Sequence, residues 1–165
     1  MGVNVALEEK SEDIIQLIGF YVGRKLYGTD IMAVREILRD PEIEPVELGA
    51  VFLRGVINLR GQQIPVIDMR YCLGLTDDLP PSDRHWVLVV QSGQGLAGYK
   101  VDSVSQILRV PSDHLLPPPE IIVAGLRSPY MRSVCDTDKG LLVVLDMERV
   151  LLNEERRKIH ELTLA

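Results

Sequence analysis

Residues 53–70 read L-R-G-V-I-N-L-R-G-Q-Q-I-P-V-I-D-M-R, two apolar runs separated by a short polar turn. Gly61 can adopt the positive φ that a short hairpin loop requires, and Asn58 can satisfy nearby backbone groups. Arg60 therefore stands at the tip of an apolar hairpin whose flanks are expected to hold it rigidly. It could bind a phosphate, assist catalysis, contact a partner protein, or simply solvate the turn.

The composition of the chain excludes some of these possible roles of Arg60. The chain has 165 residues, 46% of them apolar and 25% charged, which is typical of one globular domain. Its net charge of −6 argues against nucleic acid or an anionic membrane as the main partner. No run of about 18 apolar residues exists to span a membrane, and the N-terminus does not resemble a signal peptide. We therefore expect a cytoplasmic protein without direct membrane insertion.

Short strand-like segments follow one another along the chain and indicate a mainly β fold of barrels or a sandwich. They are punctuated by Gly, Pro, Asp or Ser. Clear helical spacing is confined to the tail, from Met147 to Leu162, which favours a surface helix. The predicted strands are 14–22, 33–38, 56–59, 64–67, 86–90, 95–101, 104–110 and 141–145.

The sequence also repeats itself. At an offset of seventy residues, Leu26, Gly28, Val34 and Ile37-Leu38-Arg39 recur as Leu96, Gly98, Val104 and Ile107-Leu108-Arg109. The segment V-I-D-M-R (66–70) is matched by V-L-D-M-E-R (144–149). This duplication predicts two similar small barrels, each beginning with a hairpin and ending in a strand followed by an aspartate. Asp68 and Asp146 are predicted to cap the helical turns that follow them.

We expect no catalytic residues, metal or cofactor. The histidines, His85, His114 and His160, lack metal-ligand spacing, and the two cysteines, Cys72 and Cys135, form no C-x-x-C pattern. The segment 92–95, S-G-Q-G, joins two strands and opens no helix, so it predicts a hairpin rather than a phosphate site. A non-enzymatic protein without a small-molecule substrate is favoured. The other class left open is a barrel enzyme or small-ligand sensor that uses a groove between the barrels.

Leu115 and Leu116 precede the rigid segment Pro117-Pro118-Pro119. Because side chains alternate between faces in an extended chain, both leucines cannot point into the core. One of them is predicted to lie in an exposed apolar patch of the kind that marks an interface.

The quoted stretch closely resembles the signature G-V-x-N-L-R-G-x-x-x-P-x-x-D-x-R of the CheW family of chemotaxis coupling proteins. The resemblance continues through Y-G-T-D-I-M-A-V-R-E-I (27–37), G-Y-K-V-D-S-V (98–104) and P-P-P-E (117–120), and ends in L-L-V-V-L-D-M-E-R-V-L (141–151). It covers roughly residues 14 to 155, nearly the whole chain.

The resemblance implies two packed five-stranded SH3-like β-barrels with a C-terminal helix. It divides the chain into a flexible segment at 1–13, a domain of two intertwined barrel subdomains at 14–152, and a helical tail at 153–165.

The resemblance also implies a non-enzymatic adaptor that couples chemoreceptors (methyl-accepting chemotaxis proteins) to the histidine kinase CheA in signalling arrays at the inner face of the membrane. Positions Val34, Glu36, Gly55 and Arg60 would face the cytoplasmic tip of the receptor. Leu116, where relatives can carry a polar or basic residue, and Ile121 would contact the regulatory domain of CheA. A related pathway such as type IV pilus twitching stays open as the alternative.

Deleting residues 1–12 is expected to leave stability almost unchanged, because this acidic, polar segment lies outside the repeat. Thermal unfolding of the shortened and full-length chains checks this. A fall in the melting temperature of more than about 5 °C would mean that the segment is docked on the domain.

Overall fold

A computed structural model describes residues 13–46, 52–75, 84–92, 95–119 and 130–150. Within these ranges the chain forms ten strands, one short helix, α1 (Met69–Cys72), and 3-10 turns at Ile31–Ala33, Ser112–His114 and Met147–Arg149. The strands are β1 (Ile14–Val22), β2 (Lys25–Asp30), β3 (Val34–Arg39), β4 (Leu53–Leu59), β5 (Gln62–Asp68), β6 (Trp86–Ser92), β7 (Gly95–Val101), β8 (Ser103–Pro111), β9 (Met131–Thr137) and β10 (Gly140–Leu145).

The mainly β prediction is confirmed, but two strands were missed. β2 carries a glycine at its centre, and β9, M-R-S-V-C-D-T, mixes polar with apolar residues, so neither gives a strong strand pattern alone. The predicted tail helix starts as a 3-10 turn at Met147–Arg149. The remainder of that tail, the segment 1–12 and Ile121 lie outside the described residues.

The strands form two five-stranded antiparallel-rich sheets, and each draws on both halves of the duplicated sequence. The first barrel has the strand order β8-β1-β2-β10-β9, and the second barrel has the order β3-β6-β7-β5-β4. The opening hairpin of each half therefore joins the other three strands of the opposite half. The hairpin β1–β2 lies in one sheet with β8, β9 and β10, and the hairpin β6–β7 lies in the other with β3, β4 and β5. A simple arrangement of one barrel per repeat is thus excluded.

The duplication predicted from the sequence recurs in the strand pairing. Val144 in β10 lies opposite Gly28 in a parallel pair with β2, and Val66 in β5 lies opposite Gly98 in a parallel pair with β7. Gly28 and Gly98 are partners in the seventy-residue repeat, and Val66 and Val144 begin the repeated V-[IL]-D-M segments. The two sheets are therefore built to the same plan.

Both sheets are closed by one extra bridge at equivalent positions. Glu44, beyond the end of β3, exchanges two backbone hydrogen bonds with Val56 in β4 (2.8 and 2.9 Å). Leu116, beyond the end of β8, does the same with Val134 in β9 (2.9 and 2.8 Å). Each bridge joins the two edge strands of its sheet and so closes a small barrel.

Within the described ranges, three apolar clusters stabilise this arrangement. One fills the first barrel around Leu17 and Leu142, and another fills the second barrel around Ile64 and Val87. The largest cluster lies between the barrels and contains residues of both, including Phe20, Tyr27, Leu88, Tyr99 and Tyr130. Because burial of apolar surface is the main favourable term in folding, this shared cluster holds the barrels together.

We expect Gly55→Ala to destabilise the protein by about 3 kcal/mol. Gly55 has a φ of 151°, and a Cβ atom there would lie 2.1 Å from the carbonyl oxygen of Glu44. The bridge that closes the second barrel would have to move. Chemical denaturation of the purified variant measures the change.

Gly95→Ala is the matched control, since a Cβ at Gly95 meets nothing within 4 Å. Its free energy of unfolding should stay within about 1 kcal/mol of the parent value. Equal losses in both variants would show that closure at Glu44 does not depend on Gly55.

Candidate protein-binding surface

The tip of the β4–β5 hairpin has the geometry predicted from its sequence. The amide of Gly61 donates a hydrogen bond of 3.0 Å to Oδ1 of Asn58, and Gly61 has a φ of 83°. Arg60 itself has a φ of 51°, which sequence reasoning did not foresee. Two successive residues of positive φ define the tight turn that matches the twist of paired strands. The arginine is therefore held in a conformation that costs an L-residue about 1–2 kcal/mol.

Arg60 pairs with Glu36, one of the other residues of the predicted receptor-facing set. Arg60 Nη2 lies 3.3 Å from Oε1 of Glu36, and the two side chains are 79% and 27% exposed. A register shift in the pairing of β3 with β6 falls between Val34 and Glu36. Bulges of this kind re-aim side chains at the edge of a sheet. The ion pair joins the hairpin tip to the edge strand β3.

Two adjoining concavities flank Glu36. One, of about 390 Å³, lies between the barrels, with Val34 and Ile37 of β3 on one side and Val104 and Ile107 of β8 on the other. The second, of about 380 Å³, is bordered by Arg60 and by strands of the second barrel. Val34, Glu36 and Arg60 are thus brought together on one continuous surface, which we call the groove surface.

Exposed apolar side chains surround the groove between the barrels. Ile107 is 54% exposed and Ile37 is 38% exposed, and Met32, in the turn that leads into β3, is 84% exposed. Ile37 and Ile107 are equivalent in the seventy-residue repeat. Apolar side chains gathered on one face are characteristic of a surface that binds another protein.

Gly55 does not join this surface. It is buried, and it lies against Glu44 and Ile43 where the second barrel closes. A contact between Gly55 and a receptor stays a prediction. Because Gly55 has no side chain, the backbone of Glu44 can pack directly against it.

Asp68 and Asp146 cap the turns after β5 and β10, as predicted. Oδ1 of Asp68 accepts a hydrogen bond from the amide of Arg70 (3.0 Å), and Oδ1 of Asp146 accepts one from the amide of Glu148 (3.2 Å). Asp68 also pairs with Arg54 of β4, whose Nη2 lies 2.7 Å away. These aspartates are structural residues.

Leu115 and Leu116 point in opposite directions, which confirms the prediction that one of them is exposed. Leu115 packs against the cluster inside the first barrel, whereas Leu116 is 56% exposed. The bridge from Leu116 to Val134 fixes this leucine on the wall of the first barrel. Arg60 belongs to the second barrel, so the two candidate contacts lie on different barrels.

We next considered the described residues that could bind a metal ion or act as a nucleophile. Across those residues, no group of three His, Cys, Asp or Glu side chains is placed to hold a metal ion. Cys72 and Cys135 are buried and not joined by a disulfide. Burial raises the pKa of the Cys135 thiol above its ordinary value, and the charge of Asp136 adds to this, so the nucleophilic thiolate is disfavoured.

In the part of the chain that the structure describes, no helix has both the length and the apolar character needed to cross a membrane.

Comparisons with known proteins agree with the fold and the motifs. Residues 16–155 match the model of the CheW-like domain. "Chemotaxis protein CheW" of Rhizobium meliloti strain 1021 is 34% identical over 141 residues, covering 86% of this chain and 90% of the relative. "Probable chemotaxis protein CheW" of Rhizobium etli is 30% identical over 153 residues, covering 93% and 97%.

The chain also resembles a solved structure, that of the scaffolding protein TtCheW from Thermoanaerobacter tengcongensis. The two share a TM-score of 0.74 and 26% sequence identity, with 84% of this chain and 94% of the other covered.

Arg60→Gly should be at least as stable as the parent protein. Glycine removes the cost of about 1–2 kcal/mol for an L-residue at this φ, which its greater freedom in the unfolded chain offsets only by about 0.5–1 kcal/mol. The exposed pair with Glu36 adds little to stability. Urea unfolding measures the difference.

Gly61→Val provides the opposite case, since it places a β-branched residue at a φ of 83°. It should lower the free energy of unfolding by more than about 1 kcal/mol. An Arg60→Gly variant that is clearly less stable than the parent would show that the guanidinium itself supports the turn.

Proposed function

The chain belongs to the family of CheW-like domains, and we propose that it is a non-enzymatic adaptor that couples chemoreceptors to the histidine kinase CheA in chemosensory arrays. The observation that carries the proposal is the exposed Arg60–Glu36 pair, held on a rigid hairpin beside the groove between the barrels. The names of the two rhizobial relatives refer to chemotaxis, which favours that pathway over pilus-based twitching.

The groove surface suits the helical hairpin at the cytoplasmic tip of a receptor. An amphipathic helix can lay apolar side chains into an apolar groove, and Val34, Val104 and Ile107 provide such a lining. The guanidinium of Arg60 offers a planar fork of donors that suits a carboxylate or a helix carbonyl. Glu36 orients this fork in the free protein and can accept a hydrogen bond from the partner when the fork turns outward.

The kinase contact is assigned to the first barrel. Leu116 is exposed there on a fixed backbone, as expected of an apolar anchor for the regulatory domain of CheA. Ile121 is proposed to extend the same contact. Because Arg60 and Leu116 belong to different barrels, one molecule can hold receptor and kinase together. This bridging would place the protein at receptor arrays on the inner face of the membrane.

Arg60→Ala should weaken receptor binding by about ten- to a hundredfold, because a charge-assisted hydrogen bond is lost. Arg60→Lys should restore only part of the affinity, since an ammonium lacks the planar fork. Binding to the regulatory domain of CheA should be unchanged in both. Titration calorimetry with a receptor tip fragment and with the regulatory domain of CheA, performed separately, gives the two affinities.

Arg24→Ala is a suitable control, because Arg24 is also an exposed arginine at the tip of a hairpin, in the turn between β1 and β2. It should leave both affinities unchanged. Unaltered receptor binding in Arg60→Ala would contradict the proposal, and a parallel fall in receptor and kinase binding would indicate structural damage instead.

A further inference from the structure

A second charged pair, formed by Arg70 and Asp102, lies at the junction of the two barrels. Arg70 lies in α1, directly after β5 of the second barrel, and Asp102 lies where the chain passes from β7 to β8. Arg70 Nη2 is 3.0 Å from Oδ1 of Asp102, and Arg70 Nε is 3.3 Å from Oδ2. The guanidinium thus donates a hydrogen bond to each carboxylate oxygen. Such bidentate pairs are among the strongest and most directional ion pairs.

The carboxylate of Asp102 also accepts a hydrogen bond from the first barrel. The amide of Gly23, in the turn between β1 and β2, donates a hydrogen bond to Oδ2 of Asp102. The amide of Asp102 in turn donates to the carbonyl oxygen of Tyr21 at 3.0 Å. One aspartate therefore connects α1 of the second barrel with the first hairpin of the first barrel.

The pair is partly shielded from solvent. The side chains of Arg70 and Asp102 are 23% and 19% exposed, against 79% for Arg60 in its pair with Glu36. Partly buried charges are screened less by salt than exposed ones. The pair can therefore contribute to orientation where an exposed pair would contribute little.

The repeat shows that this pair is not a general requirement of the fold. In the duplicated sequence the counterpart of Asp102 is Met32, seventy residues earlier, and the counterpart of Arg70 is Glu148. Met32 is 84% exposed at the other crossing, from β2 to β3. Among the described residues, the two positions equivalent to Arg70 and Asp102 therefore hold no arginine–aspartate pair, although both sheets follow the same plan.

Asp102 also directly precedes β8, the strand that lines one side of the groove between the barrels. β8 begins at Ser103, and Val104 and Ile107 line the groove from the first barrel, whereas Val34 and Ile37 line it from the second. The width of the groove depends on how the two barrels are oriented. A bond that fixes this orientation at the start of β8 acts directly on the groove.

We propose that Arg70 and Asp102 form a latch that fixes the first barrel relative to the second and so holds the groove at the width that binds its partner. The pair positions the walls of the groove and does not contact the partner. Its consequence for receptor binding rests on the function proposed above, but its effect on barrel orientation does not.

Residual dipolar couplings of backbone amides test the latch, because they report the relative orientation of the two sheets in solution. In the parent protein, amides of β1–β2 and of β6–β7 should fit one alignment tensor. In Arg70→Met each sheet should still fit its own tensor, but the two tensors should differ. Hydrogen exchange at the amide of Gly23 should accelerate by at least about tenfold, because its acceptor is no longer held.

Asp102→Asn provides a second variant that removes the charge but keeps an oxygen for the amide of Gly23. It should change the relative orientation with a smaller effect on exchange at Gly23. Arg54→Met is the matched control, since Arg54 and Asp68 form a pair of similar length, 2.7 Å, between strands of the second barrel only. In Arg54→Met, the amides of both sheets should still fit one alignment tensor.

A single tensor in folded Arg70→Met, or in Asp102→Asn should the first variant not fold, would overturn the proposal. Loss of the folded state in both variants would also overturn it, because a latch is not needed for either sheet to form. Receptor binding separates the two proposals: an altered orientation with unchanged receptor affinity would leave the latch in place and contradict the groove as the receptor site.

Discussion

The exchange of the opening hairpin between the two halves of the chain is the constraint on which the structure depends. The hairpin β1–β2 pairs with β8 and β10 of the second half, and the hairpin β6–β7 pairs with β3 and β5 of the first half. Neither half can close a barrel from its own strands, so neither barrel is complete until distant parts of the chain meet. Such non-local pairing carries a loop-closure cost that only the finished core offsets. The large apolar cluster between the barrels, with Phe20, Tyr27 and Tyr99 at its centre, provides that core.

The exchange also places the groove surface. The chain passes from one barrel to the other just before β3 and just before β8, and these two strands supply the walls of the groove, with Val34 on one side and Val104 on the other. Each of them pairs along its length with a single neighbouring strand. Edge strands of this kind present side chains and backbone to partners. The architecture that joins the barrels thus also creates the surface that a partner can use.

The hairpin tip shows strain at a position of proposed function. Arg60 has a φ of 51°, although glycine would fit this position without cost. An unfavourable backbone conformation at an exposed, charged residue is typical of sites where a side chain serves binding rather than stability. The bond from Gly61 to Asn58 and the buried strands beneath compensate for that strain. In this turn, stability therefore depends on Asn58 and Gly61, whereas the proposed recognition depends on Arg60.

Local features of the sequence determine several of the turns and the exposure of particular side chains. Asp68 and Asp146 cap turns two residues away, Asn58 closes a turn on Gly61, and Leu115 and Leu116 divide between core and surface. Each depends on contacts within a few residues or on the alternation of an extended chain, which a sequence displays directly. The internal repeat and the CheW motif likewise indicate two similar barrels.

Only the tertiary structure decided which strands share a barrel, and which residues meet as a result. Gly55 is part of the family motif, but its burial depends on the backbone of Glu44, which packs directly against it. Arg70 and Asp102 stand in separate motifs, and nothing in either motif indicates that they bond. The pairing of Arg60 with Glu36 likewise follows from β3 lying in the same barrel as the hairpin. Contacts between residues far apart in the chain depend on strand order and register, which local periodicity does not specify.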